Sequence, residues 1–235
     1  MTSDLIIKGG QVFDPLNGVN GEVTDIYIQN GKISEEFSEK KARVIDAKGL
    51  TVMPGGVDLH SHIAGSKINI GRLMRPEDHR KDPVHRSLKT RSGVGYSCPS
   101  TFVTGYRYAQ MGYTTVMEAA MPPIGARHVH EELNDTPIID KAAFTLFGNN
   151  YFVLKYIKEG DKEKLKAFVA WLLRATRGYA VKIVNPGGVE HWKWGRNVEG
   201  LDTPIENYDI TPREVVTSLA EVNEEVGLTY TIHIH

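Results

Sequence analysis

The first 55 residues alternate apolar and polar positions in short runs cut by turn residues: DLIIKGG, QVFDPLNG, VTDIYIQNGKI and RVIDAKGLTVMPGG. Period-two alternation between such breaks predicts short strands. Asn30-Gly31 predicts a type I′ hairpin turn, because both central positions of that turn need positive φ, and Asp14-Pro15 and Asn17-Gly18 punctuate the loop before it. Residues 1–55 therefore read as a small β module. From residue 56 to 235 the texture changes to short apolar runs separated by longer helical patterns, which predicts parallel strands linked by crossover helices. Five strands are expected, at GGVDLHSH, YTTVMEAAM, AAFTLFGNN, GYAVKIVNP and LTYTIHIH.

Two of the intervening helices are clear. In DKEKLKAFVAWLLRATRG, Leu165, Phe168, Val169, Leu172 and Leu173 recur at helical spacing, with Gly178 as the expected stop. In TPREVVTSLAEVNEEVG, Thr211 is the expected N-cap, Pro212 opens the first turn, Glu214 stands three residues on and Gly227 ends the helix. Between the first two strands lies a long charged stretch, from IAGSKINIGRLM to SCPST, with little periodicity. It reads as a loop or lid on the face where β/α folds carry active sites.

Composition narrows the function classes. With 28 Lys plus Arg against 29 Asp plus Glu among 235 residues, no global field attracts a polyanion, so nucleic acid is not an expected partner. One cysteine, Cys98, excludes a Cys-rich zinc module or an internal disulfide framework. No apolar run is long enough to span a bilayer and the first residues lack a signal-peptide core, so no membrane association and a cytoplasmic location are expected.

The candidate chemistry sits at strand ends. In Val57-Asp58-Leu59-His60-Ser61-His62, alternation turns His60 and His62 to one side, about 7 Å apart along the backbone, so both imidazoles can reach one metal ion. A second HxH, His233 and His235, ends the fifth strand, and parallel strands bring their carboxyl ends to one side. Equal parity keeps both in play; His235 lies nearer the strand end. His128 and His130 read as solvated, and His79, His85 and His191 as loop residues. Lys182 lies inside the apolar run AVKIV, where a cation is costly to bury. Either it snorkels to solvent from a strand edge, or its neutral amine takes up carbon dioxide to become a carbamate able to bridge two metals.

The N-terminal IIKGGQVFDP and DIYIQNGKI, then VMPGGVDLHSH, a strand lysine and a strand-five histidine resemble the metal-dependent amidohydrolase superfamily. Within it, HIAGSKINIGRLMRPEDH, TGYRYAQMGYTTVMEAAMPP and VKIVNPGG are similar to the A subunits of formylmethanofuran dehydrogenases. The resemblance implies an α/β fold, a (β/α)8 amidohydrolase-type barrel with an N-terminal segment contributing to a composite β-sandwich. An eight-unit barrel takes roughly 250 residues, so this sequence is expected to supply only the first five strands of a longer polypeptide. It also implies two zinc ions, with His60 and His62 as ligands, Lys182 as the carboxylated bridge and His235, or His233, as the strand-five ligand. The implied activity is reversible condensation of formate with methanofuran, a C–N amide bond, in methanogenesis. The implied partners are the other subunits of the complex, one holding a tungsten or molybdenum pterin. The family also uses a further histidine and a last-strand aspartate, which have no counterpart within residues 1–235. Two rival readings are a cyclic amidohydrolase of dihydroorotase or hydantoinase type, and a non-catalytic scaffold subunit.

Overall fold

A computed structural model describes residues 4–37, 42–74, 98–196 and 199–233. The chain divides into two compact units, Met1–Gly56 and Val57–His235.

In the first unit, strands β1 (Leu5–Asp14), β2 (Val19–Gln29), β3 (Lys32–Ser34), β4 (Arg43–Asp46) and β5 (Thr51–Val52) form one sheet in the order β3-β2-β1-β4, with β5 also paired to β1. Asn30 and Gly31 join β2 to β3 with φ of 54° and 76°, the two positive values a type I′ turn demands. Ile6, Val12 and Ala47 are buried in this unit.

The second unit is built on a five-stranded sheet in the order β10-β9-β8-β7-β6, comprising β6 (Gly56–Ser61), β7 (Tyr113–Met121), β8 (Asp140–Leu146), β9 (Ala180–Val184) and β10 (Tyr230–His233). Sequential order across the sheet follows from the helical connections between strands, and β7 to β10 pair in parallel. The helices are α1 (Ser66–Met74), α2 (Thr101–Gln110), α3 (Ala126–Asp135), α4 (Tyr151–Lys158), α5 (Lys162–Ala175), α6 (Gly188–Lys193) and α7 (Pro212–Glu225). Val181 and Ile183 of β9 pack with Leu154 of α4, Val169 of α5 and Leu219 of α7, so the odd-numbered side of β9 faces the helices. Met117, Phe144 and Ala180 form a smaller cluster from the opposite side chains of their strands.

Thr211 caps α7 with a complete capping box, its hydroxyl accepting from Glu214 N while the Glu214 carboxylate accepts from Thr211 N. The end of α5 differs from expectation. Arg177, not Gly178, takes the left-handed conformation, with φ 51°. Gly178 is required for space instead, because a Cβ there would collide with Thr145 Oγ1. The stretch expected to be loop begins with helix α1, which tertiary contacts hold: buried Arg72 donates to the carbonyls of Ile63 and Pro99. Residues 75–97, with His79 and His85, lie outside the described residues.

Candidate metal centre

His60 lies near the end of β6 and His62 just beyond it, their ring centroids 5.8 Å apart. From the far edge of the sheet, His233 of β10 brings its ring to 4.6 Å from that of His60, edge to face. His235 is outside the described residues. Lys182 points to the same place: its Nζ is 3.5 Å from His60 Nδ1, although 122 positions separate the two. His60 of β6, His62 just after it, His233 of β10 and Lys182 of β9 therefore meet across the sheet.

Lys182 is 2 % exposed, so it does not snorkel. Among the described residues no carboxylate pairs with its amine. Burial, and then the charge of Lys67, push the amine's pKa below the ordinary lysine value. The His60 imidazole is likewise lowered, first by burial and then by Lys182. Both shifts favour neutral groups, and neutral nitrogen is the form that ligates metal or attacks carbon dioxide. Among the described residues, no three His, Cys, Asp or Glu side chains are arranged to hold a metal ion by themselves. Lys182, beside these imidazoles, is a further candidate for such a shell. A soft-to-borderline set of imidazoles with an added carbamate oxygen suits zinc and similar divalent ions, so the residues present fit such a group.

One residue of the site went unread in the sequence. Glu118, 1 % exposed on β7, shares a 3.0 Å hydrogen bond with His62 Nδ1 and accepts from Ala120 N at 3.0 Å through one oxygen, and accepts from Ile63 N at 2.8 Å and Ala64 N at 3.1 Å through the other. The β7–β8 register shifts between Glu118 and Met121, a bulge of the kind that re-aims a side chain. A lone carboxylate inside the run TTVMEAAM is the signal that would have found it. The loop after His62 is also held from α3, where Glu132 accepts from Gly65 N and from Asn69 Nδ2. Behind β6, Tyr108 donates to Asp58 Oδ2 at 2.9 Å and bonds Ser61 Oγ at 2.5 Å, while Asp58 Oδ1 accepts from His60 N.

The remaining histidines stand apart. His128 is exposed beside Glu132, as expected for a solvated residue. His130 is half-buried and bonds the Thr176 carbonyl after α5. His191 is in α6, not a loop, and is 3 % exposed.

Residues 43–233 match the amidohydrolase family. The chain is 59 % identical over 232 residues to Protein FwdA of Methanocaldococcus jannaschii, covering 99 % of this chain and 41 % of that protein. It is 34 % identical over 230 residues to the A subunit of the formyltransferase/hydrolase complex Fhc of Methylorubrum extorquens, covering 97 % and 41 % respectively. The crystal structure of that complex, determined with methylofuran, superposes with a TM-score of 0.85 at 33 % identity, covering 99 % of this chain and 42 % of the matched one. This chain thus spans about two fifths of the length of these relatives.

Proposed function

We propose, from the premise that the chain belongs to the amidohydrolase family, that it carries the first half of a metal-dependent site that makes and breaks a formamide C–N bond, in a subunit of the formylmethanofuran dehydrogenase type. The substrate pair in this reading is formate and methanofuran, interconverted with formylmethanofuran and water. Subunits of the same complex are the partners, one of them reducing carbon dioxide to formate at a tungsten or molybdenum pterin, in the cytoplasm. The five-stranded sheet of the second unit is then the first part of a (β/α)8 barrel, and the first unit part of a composite β-sandwich.

In this reading His60, His62 and a β10 histidine, His235 or His233, together with carboxylated Lys182, would hold two zinc ions. Bound metal supplies a water nucleophilic at neutral pH and polarises the formamide carbonyl. This chain's own contribution is to prepare the ligands. The neutral Lys182 amine adds to carbon dioxide, forming an N–C bond and releasing one proton, which turns a would-be cation into an anionic two-oxygen ligand. Its position 3.5 Å from His60 Nδ1 puts that ligand beside the imidazoles, and this proximity is the observation that carries the proposal. Burial excludes the water that would otherwise keep the amine protonated.

The test is Lys182→Ala in the full-length protein within its complex. Metal content at one or both sites and formylmethanofuran hydrolysis are expected to fall to background, with partial recovery on adding short carboxylates such as acetate. Lys182→Arg should not recover, because guanidinium stays protonated and cannot be carboxylated. Full metal content and activity in Lys182→Arg would refute the bridge. Turnover of hydantoin or dihydroorotate with none of formylmethanofuran would instead favour the cyclic-amide reading.

A further inference from the structure

We propose that Glu118 is the positioning residue of this site: it fixes the orientation and tautomer of His62, leaving Nε2 as the ligating nitrogen. The inference rests on the reading of His62 as a metal ligand, and adds which of its atoms binds and what holds it there.

The argument is one of hydrogen-bond accounting. A carboxylate offers about four lone-pair positions and no donor. Glu118 uses them on Ile63 N, Ala64 N, Ala120 N and His62 Nδ1. Three of these partners are backbone N–H groups, which can only donate. A hydroxyl proton on Oε2 would have to point at one of them, and one on Oε1 could reach only His62 Nδ1; three backbone donors favour the ionised carboxylate, so the proton between Oε1 and Nδ1 is placed on the ring and the fourth partner donates. His62 therefore carries its proton on Nδ1. A neutral imidazole holds one ring proton, so the lone pair of His62 is on Nε2, the nitrogen on the far side of the ring from Glu118.

The same four bonds explain the rigidity of the clamp. Ile63 N and Ala64 N belong to the turn that leaves β6 directly after His62, so one carboxylate holds both the ring and the backbone that carries it. The bulge after Glu118 supplies the Ala120 N–H that steadies the carboxylate itself. Carboxylate–histidine–metal arrangements raise the basicity of the ligand and set its ring plane. Among the described residues no carboxylate bonds the His60 ring, whose Nδ1 faces the Lys182 amine.

Glu118→Gln distinguishes positioning from simple support. Gln keeps the shape but has one acceptor oxygen and one NH₂ group. With its oxygen kept on Ile63 N and Ala64 N, its NH₂ faces His62 Nδ1 and forces that nitrogen to accept, moving the ring proton to Nε2 and blocking the ligating atom. Zinc and cobalt affinities of the full-length protein, measured by chelator competition, are expected to fall 10–100-fold, with a changed visible spectrum of the cobalt form. Glu118→Asp, which keeps the acceptor character, should recover part of the loss. The metal-free wild-type protein, labelled with ¹⁵N histidine, should show the Nδ1–H tautomer at the signal lost in His62→Gln, a measurement that does not depend on Glu118→Gln folding. An Nε2–H tautomer there, or metal affinity in Glu118→Gln equal to wild type, overturns the inference while the metal site stands. A lower melting temperature of metal-free Glu118→Gln with unchanged affinity reduces Glu118 to structural support and overturns it too. Failure of the wild-type protein to bind any divalent metal removes the metal-site reading, and the inference with it.

Discussion

Strands β7 and β9 each bury one ionisable side chain within the same sheet, and the two environments are opposites. Glu118 has every acceptor position filled, by three backbone donors and a ring N–H. Lys182, equally buried, has among the described residues one hydrogen-bond neighbour, at the outer limit of such bonding, and that neighbour is another basic group. A buried polar group is retained at little cost when satisfied and at considerable cost when not. The comparison teaches that Glu118 belongs to the framework, whereas Lys182 is held in a form that stability alone would not select. A group of that kind is where reactivity is expected.

The largest effect that could break this comparison is on the Glu118 side. Glu118→Leu leaves three backbone N–H groups and the His62 N–H without their acceptor. The metal-free full-length protein is expected to lose on the order of 4 kcal/mol, read from denaturant midpoints. A loss under about 1 kcal/mol would mean the bonds are replaceable by water and the framework role is wrong.

Next in size is a change packed against β8, the strand between them. Gly178 lies against buried Thr145 of β8, whose hydroxyl shares a 2.8 Å hydrogen bond with Thr176. Gly178→Ala forces its new Cβ into that pair and is expected to cost about 1–3 kcal/mol by overpacking. Since neither Glu118 nor Lys182 touches the pair, metal affinity should not change. A loss of affinity as large as that of Glu118→Gln would show that the site reports general damage to the sheet.

What the sequence disclosed follows the same physical division. Lys182 was legible because a cation inside AVKIV conflicts with its surroundings, and His60, His62 and His233 because strand ends of a parallel sheet converge. Strong local signals also placed the Asn30-Gly31 turn and the Thr211 capping box. Glu118 carried the same kind of signal as Lys182, a charge within an apolar run, but its meaning depends on the turn of β6, more than 50 residues away. Helix α1 was illegible for a related reason. Its one buried side chain is Arg72, so its inward face does not read as apolar, and long-range bonds to Ile63 and Pro99 hold it. His130 was misread because its partner is the Thr176 carbonyl, 46 residues on.

A smaller effect of opposite sign comes from the β9 side. Lys182→Met keeps the length and removes an amine that lacks a carboxylate partner among the described residues. In the metal-free protein it is expected to stabilise by about 1 kcal/mol while abolishing activity. Destabilisation would mean that the amine is satisfied as it stands, and the contrast with Glu118 would collapse.

The smallest effect is a pH dependence. Burial, followed by the charge of Lys67, lowers the Lys182 pKa in the folded protein, while in the unfolded chain it lies at about 10.4. Between those two values the unfolded state binds more protons than the native state, so stability rises with pH across that window. Below the window both states are protonated and the penalty for burying the cation is complete; above it both are neutral and the penalty is gone. Melting curves of the metal-free protein in carbon dioxide-free buffer should therefore show a shallower alkaline loss of stability for wild type than for Lys182→Met, which lacks the relieved penalty. Carbon dioxide should then raise the wild-type midpoint more than that of Lys182→Met, because burial keeps the Lys182 amine in the neutral form that adds carbon dioxide in the native state. Parallel pH profiles for the two proteins, with or without carbon dioxide, would place Lys182 with Glu118 as a satisfied structural residue.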